Sequence, residues 1–416
     1  MIFNELEKFR NDLFKNIYES NKSISEAVSY APNQLLKSLQ NNGFTNNIVN
    51  ESSDKLTTFN YSEMVKYLGK NKHKIDDFCI GDHPDFKNVI GNHDSLNHYS
   101  VSCFIDIAGS TDMNNRLSLT NIRYIKDSIL TLCIYVANFF GGHIHRLQGD
   151  GIFIQFVRKD RNHLDSIINS LNAASFILRT VNDLINPTFK VKGLGEIQLR
   201  AGIDYGSKDK VLWSHFGIPN CSELTTTSFH TDSAAKLQSK AKPDQIIIGD
   251  NICKELDLPS NLVEKKGDKI LEYKYYLFKH LDYLNSFSFL YFPNATKNSI
   301  QLKKSEYTLQ CNVKDESNSK YWENSYSIPK EKNIKFTLLH NGQKINIERF
   351  EFINWFVKNT GKEAKKANKI DIDLELINSD SCNVVASFLG HHKAICEFKA
   401  KDNHRKEVIE FPIFVQ

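Results

Sequence analysis

The sequence predicts an α+β fold: a ferredoxin-like βαββαβ domain, preceded by a helical N-terminal arm and followed by a β-sandwich. Three observations predict it. Between residues 93 and 285, β-rich alternating runs change places with long helical patterns in the order β-α-β-β-α-β. Residues 1–92 are polar and helical in pattern with Asn- and Ser-rich breaks, whereas residues 298–416 turn to short alternating strands with recurrent turn signals. The length of 416 residues fits two to three domains at about 150 residues each.

Each element of the central segment has its own warrant. Tyr99–Ile107 (YSVSCFIDI) alternates and is β-rich, which predicts a strand. The polar loop AGSTDMNN follows, and then a helix from Leu119 to Phe140 that Gly141-Gly142 stops. The runs HIHRLQ and GIFIQFV form a hairpin closed at Gly149-Asp150-Gly151. His143 and His145 flank Ile144 there, a pattern of sheet-surface or sheet-edge positions. A second helix, from Leu164 to Leu184, carries Ile167, Ile168, Leu171, Ala174, Ile177, Leu178 and Val181 along one face. Strands recur at Ile197–Tyr205 and Gln245–Ile248. Residues 291–299 read as a linker. Beyond it, Asn341-Gly342 supplies a hairpin turn, and Ile370, Ile372, Leu374 and Leu376 alternate with acidic residues as a half-buried strand does. Turn signals recur at Asn359-Thr360-Gly361 and at Gly390.

Composition excludes several classes. Apolar residues make up 40% and charged residues 25%, which argues against a membrane protein and against wholesale disorder. The most apolar run, Ile129–Phe140, is shorter than the roughly 20 residues that cross a bilayer, and the charged N-terminus is no signal peptide. A net charge of +4 is too small to imply nucleic acid. The eight cysteines contain no CxxC pair, so they read as reduced core thiols of a cytoplasmic protein rather than a zinc site.

Two carboxylates carry the chemistry. Asp106 lies near the end of a buried strand, and Asp150 occupies the tip of a hairpin that would pair beside it. Carboxylates brought together in this way repel unless a cation sits between them, and Mn²⁺ or Mg²⁺ is the usual answer. The loop from Ile107 through Gly109, Ser110 and Thr111 offers backbone N–H groups to phosphate oxygens. Together they point to phosphoryl chemistry on a nucleotide.

The segment Phe104-Ile105-Asp106-Ile107-Ala108-Gly109-Ser110-Thr111, followed by Gly149-Asp150-Gly151, resembles the class III nucleotidyl cyclases. Gly141-Gly142, Arg200-Ala201-Gly202-Ile203 and Ala234-Ala235-Lys236-Leu237 fit the same family. The resemblance implies that Asp106 and Asp150, with Ile107, hold two divalent ions per active site, while Gly109, Ser110 and Thr111 bind the nucleotide. The ribose 3′ oxygen would attack the α-phosphorus and expel pyrophosphate. Because the family builds its site between two catalytic domains and this chain has one, a homodimer is implied.

Departures from the family pattern bear on the substrate. Arg146 stands where family adenylate cyclases place a base-reading Lys, and Thr225 where they place its Asp partner. Asp232 falls at the ribose-orienting position and Lys236 at that of the transition-state Arg. Arg146 with Thr225 implies a base smaller than adenine. Lys266 or Lys269 resembles the family's phosphate-binding Lys. Around Asn359-Thr360-Gly361-Lys362-Glu363-Ala364 the chain looks like the sensor-type domain of bacterial phage-defence messenger synthases, a combination similar to the Pycsar pyrimidine cyclases. That likeness implies cyclic CMP made from CTP as a defence messenger, read by a separate cyclic-nucleotide-binding effector, with no nucleic acid or membrane partner. A uridylate cyclase, an adenylate or guanylate cyclase and an inactive nucleotide-binding regulator stay open as alternatives.

Overall fold

The computed structural model describes residues 79–86, 95–218, 221–266, 273–285, 287, 306–314, 319–375, 378–402 and 406–416. The chain divides into two compact units, the first ending at Gly249 and the second starting at Asp250. This division falls inside the segment 93–285 expected as one domain. Most of the expected N-terminal arm and the whole 291–299 linker lie outside the described residues.

In the first unit the strands are β1 (Ser95–Asn97), β2 (Ser100–Ile107), β3 (Gly142–Gln148), β4 (Gly151–Phe156), β5 (Leu199–Gly206), β6 (Leu212–Ile218), β7 (Cys221–Thr227) and β8 (Gln245–Gly249). The helices are α1 (Ser110–Met113), α2 (Leu119–Phe139), α3 (His163–Thr180), α4 (Asn186–Val191) and α5 (Phe229–Lys240). The sheet runs β3-β4-β2-β5-β8, antiparallel except that β8 lies parallel to β5. The expected ferredoxin-like order is therefore present, because β2 and β4 are central and each long helix crosses over one strand to join two parallel strands, α2 from β2 to β3 and α3 from β4 to β5. Ser118 caps α2 by accepting from the Asn121 N–H, and Asn162 caps α3 through Leu164. One turn of π-helix, Val181–Ile185, separates α3 from α4, so the helix expected to run to Leu184 changes its winding near its end. The strands' apolar alternation builds the core: Val101, Cys103, Ile105, Ile154, Ala201 and Ile203 are all buried.

The short strands β6 and β7 were not anticipated. They pair antiparallel, with Ser214 opposite Thr225, and β1 lies on the outer side of β6. Trp213 is fully buried and stacks on Phe86 at 4.3 Å between ring centroids. Within 79–86, Ile80 bridges Ile144 in parallel and Pro84–Phe86 form a single 3₁₀ turn, with no α-helix.

In the second unit, α6 (Asp250–Glu255), β9 (Val263–Lys265), β10 (Tyr275–Phe278) and α7 (His280–Leu284) precede the sandwich. Its strands are β11 (Tyr307–Lys314), β12 (Ser319–Tyr321), β13 (Ser327–Ile328), β14 (Asn333–His340), β15 (Gln343–Lys344), β16 (Phe350–Lys358), β17 (Asp371–Asp373), β18 (Ser381–Val385), β19 (Gly390–Ala400) and β20 (Lys406–Val415), with α8 (Gly361–Lys366) after β16. One sheet runs β12-β11-β14-β15 with β18 also on β14; the other runs β13-β20-β19-β16-β17. Inward residues of both, among them Cys311, Phe336, Trp355, Cys396 and Phe398, share one apolar core. Asn341 and Gly342 both take positive φ, as the two-residue turn between β14 and β15 requires. The stretch at Asn359-Thr360-Gly361 opens α8 rather than making only a turn: Thr360 is the cap, and Glu363 accepts from Lys330 Nζ and the Leu389 N–H.

Five cysteines are buried, but Cys79 and Cys253 are half-buried and Cys221 is exposed, so three of the eight are not core thiols. Among the described residues no helix is long and apolar enough to cross a membrane.

Gly202 fixes where α5 lies. A Cβ there would stand 2.1 Å from the Gln238 backbone nitrogen and 2.3 Å from the Ala234 carbonyl oxygen, so only glycine lets α5 cross β5 this closely. Gly202→Ala is expected to destabilise the first unit by about 2–3 kcal/mol, measured as the shift of a urea unfolding curve; an unshifted curve would refute the packing constraint.

Candidate active site

Strand register builds the carboxylate pair. Asp106 lies opposite Gly151 across β2 and β4, and Asp150 occupies the two-residue turn with Gly149, whose φ of 70° closes it. Gly151 keeps the approach open, since a Cβ there would sit 3.1 Å from the Ile105 carbonyl oxygen and 3.3 Å from Asp106 Oδ1. The two carboxyl groups are within hydrogen-bonding contact of each other. Burial lifts Asp106 above the usual carboxylate range; the Arg200 hydrogen bond opposes this and the one shared with Asp150 adds to it. Asp150 moves the other way. Burial pushes it up, but hydrogen bonds from the Ser110 hydroxyl and from Asp106 outweigh that, with Lys126 adding positive potential.

Arg200 and Gln238 were not expected as partners of Asp106. Arg200 Nη2 donates to Asp106 Oδ2 at 2.9 Å and Gln238 Nε2 donates to the same oxygen at 3.1 Å. Arg200 lies opposite Asp106 in the β2–β5 register, a proximity visible only once the pairing is known.

The remaining residues fall into three places. Gly109 takes a left-handed φ of 67° and turns the chain from β2 into α1, where Ser110 reaches Asp150 and Thr111 is exposed. Arg146 and Thr225 come together around Glu223, which the sequence did not mark. Arg146 Nε donates to Glu223 Oε1 at 3.2 Å and its Nη2 to Oε2, His145 Nε2 lies 3.3 Å from Glu223 Oε1, and Thr225 Oγ1 lies 3.1 Å from His145 Nε2. Asp232 and Lys236 are exposed one turn apart on α5, and among the described residues neither side chain meets the carboxylate pair. Lys266 pairs with Glu264, and Lys269 lies outside the described residues.

His143 and His145, expected at the surface, are 2% exposed each. The reason is the segment 79–86: the Gly81 carbonyl accepts from His143 Nε2 at 2.6 Å, and His83 packs edge-on against the His143 ring. Asp82 Oδ1 accepts from the Leu224 N–H, tying β7 to the same segment.

A divalent ion fits this donor set. Among the described residues no cluster of three or more His, Cys, Asp or Glu side chains could hold a metal. Two carboxylates in contact nevertheless give an oxygen-only set, and Mg²⁺-like ions commonly use one or two carboxylates plus substrate phosphates.

Residues 287–409 match the family of Adenylyl/Guanylyl and SMODS C-terminal sensor domains. A cytidylate cyclase of Staphylococcus aureus is 32% identical over 406 residues, covering 92% of this chain and 91% of that one. A cytidylate cyclase of Escherichia coli is 32% identical over 316 residues, covering 70% of this chain and 66% of the relative. Among solved structures, the adenylyl cyclase CyaB from P. aeruginosa aligns with a TM-score of 0.40 at 15% identity, over 44% of this chain and 95% of that one.

Burial, offset in part by the Gly81 bond, pushes the His143 imidazole down to about 4. The unfolded chain then binds more protons than the folded one between about pH 6.5 and about pH 4, so His143 costs nothing above that window and destabilises as pH falls through it. From about pH 7 to about pH 5 the cost is about 2 kcal/mol. Urea unfolding of the wild type and of His143→Gln at both pH values should show a smaller acid loss in the variant. Equal losses would place the proton uptake elsewhere.

Proposed function

This chain belongs to the Pycsar-type nucleotidyl cyclases, and from that premise we propose that it converts CTP to 3′,5′-cyclic CMP and pyrophosphate. The observation that carries the reading is the contact between Asp106 and Asp150 beside the Ser110 loop, on the same hairpin that presents Arg146. The catalytic domain of residues 93–285 does the chemistry and residues 298–416 form its sensor-like partner. Asp106, Asp150 and the Ile107 carbonyl would hold Mn²⁺ or Mg²⁺, two per site. Bound there, the ions would acidify the ribose 3′-OH and neutralise the triphosphate.

The chain's own groups do the rest. Gly109, Ser110 and Thr111 receive phosphate oxygens at the start of α1, with Lys126 adding positive charge nearby. Arg200 holds Asp106 in one rotamer, so the carboxylate is fixed before substrate arrives. The 3′ oxygen bonds to the α-phosphorus as the bond to the bridging oxygen of the β-phosphate breaks, and pyrophosphate leaves. Lys236 and Asp232 face outward from α5, the arrangement needed if they serve the site of a second protomer, Lys236 on the transition-state charge and Asp232 on the ribose hydroxyls. Arg146 and Thr225 read the base. The product would act as a cytoplasmic messenger of antiphage defence, read by a separate effector.

Incubating the purified protein with each ribonucleoside triphosphate and Mn²⁺ tests this. Cyclic CMP should be the main product, and Asp106→Ala or Asp150→Ala should abolish pyrophosphate release, by at least about 10³-fold, while leaving the fold intact. A purine cyclic nucleotide as sole product would refute the assignment.

A further inference from the structure

Resting on the cytidylate reading above, we infer that Glu223 is the residue that selects cytosine over uracil, acting with Arg146 as one donor–acceptor edge. Neither Arg146 nor Thr225 makes this selection alone. An arginine donates to the O2 of either base, and a threonine hydroxyl donates or accepts as required. Thr225 is moreover tied to His145 Nε2 at 3.1 Å. Glu223 differs from both, because an ionised carboxylate only accepts.

The backbone presents Glu223 for this role. It lies two residues before Thr225 on β7, so both side chains leave the strand on one face. On β3 the register shifts between Ile144 and Arg146, leaving His145 in a bulge. Consecutive residues of a regular strand point to opposite faces, but a bulge re-aims them. His145 and Arg146 consequently approach the same carboxylate, at 3.3 and 3.2 Å from Oε1. Beneath, His145 is buried and holds the cluster in place; on the open side Arg146 and Glu223 stay half and one-third exposed, within reach of a ligand.

The pair sets a donor beside an acceptor. Cytosine shows the complement, an amine at N4 beside the acceptor N3. Uracil inverts both positions, with O4 accepting where cytosine donates and N3–H donating where cytosine accepts. Against uracil the carboxylate meets a carbonyl and the guanidinium meets an N–H, so both hydrogen bonds are lost while the groups are desolvated. Adenine has the same polarity as cytosine, so its exclusion rests on the length of Arg146 and the space left for the ring. The ion pair also cancels the Glu223 charge, which would otherwise repel a triphosphate.

The test compares kcat/KM for CTP and UTP in the full-length wild type, Glu223→Gln and Glu223→Asp. An amide can turn either its oxygen or its nitrogen to the base, so Glu223→Gln should lower the CTP/UTP ratio by at least about tenfold, with UTP use rising. Glu223→Asp keeps an acceptor-only group and should keep the ratio while lowering turnover of CTP. If Glu223→Gln turns over neither nucleotide, calorimetric binding of CTP and UTP reads the same ratio. An unchanged ratio in Glu223→Gln overturns the assignment of Glu223. A wild type that does not cyclise CTP overturns the cytidylate reading itself, and the assignment with it.

Discussion

The candidate site of the first unit is organised around two carboxylates held against their mutual repulsion. Pairing of β2 with β4 puts Asp106 opposite Gly151, and the tight turn at Gly149 then leaves Asp150 beside it. Burial and like charge both resist this contact, and the hydrogen bond that the two groups share offsets only part of that. It is tolerated because Arg200 and Gln238 donate to Asp106 and Ser110 donates to Asp150. Gly202 lets α5 come close enough for Gln238 to reach the pair, so a glycine on β5 serves the same contact as the one at Gly151.

A second constraint acts on the opposite end of the β3–β4 hairpin. The segment 79–86 lies along β3, receives His143 through Gly81, and reaches β7 through Asp82. Phe86 and Trp213 stack beneath β6. These contacts fix β3 relative to β7, the two strands that carry Arg146 and Glu223. The cluster of His145, Arg146 and Glu223 is thus positioned by residues just ahead of the sheet domain, and the carboxylate pair by the sheet itself.

Much of this was legible in the sequence, for physical reasons. The hairpin at Gly149-Asp150, the long helices and the order of the sheet follow from alternation, helical spacing and turn chemistry, which are local. Asp106 and Asp150 could be picked out because Asp106 nears the end of a strand that a Gly-Ser-Thr loop follows and Asp150 sits between two glycines at a hairpin turn. Glu223, Arg200 and Gln238 could not be assigned their contacts, because those contacts depend on which strands pair. The strands β6 and β7 escaped notice because residues 221–227 are nearly all polar, and the burial of Trp213 depends on Phe86, far away in the chain. His143 and His145 look like surface residues by pattern, yet residues 79–86 cover them. In the sandwich, alternation at 370–376 predicted a longer strand than the described Asp371–Asp373, because Glu375 adopts a positive φ just past its end.

Binding of Mn²⁺ in the presence of CTP, followed by the loss of the free-ion electron paramagnetic resonance signal, addresses the carboxylate pair most directly. If Asp106 and Asp150 form a divalent-cation site, the wild type should take up Mn²⁺ saturably, and Asp106→Asn and Asp150→Asn should each lose that uptake while keeping the wild-type unfolding curve. Equal Mn²⁺ uptake by all three proteins would contradict the account.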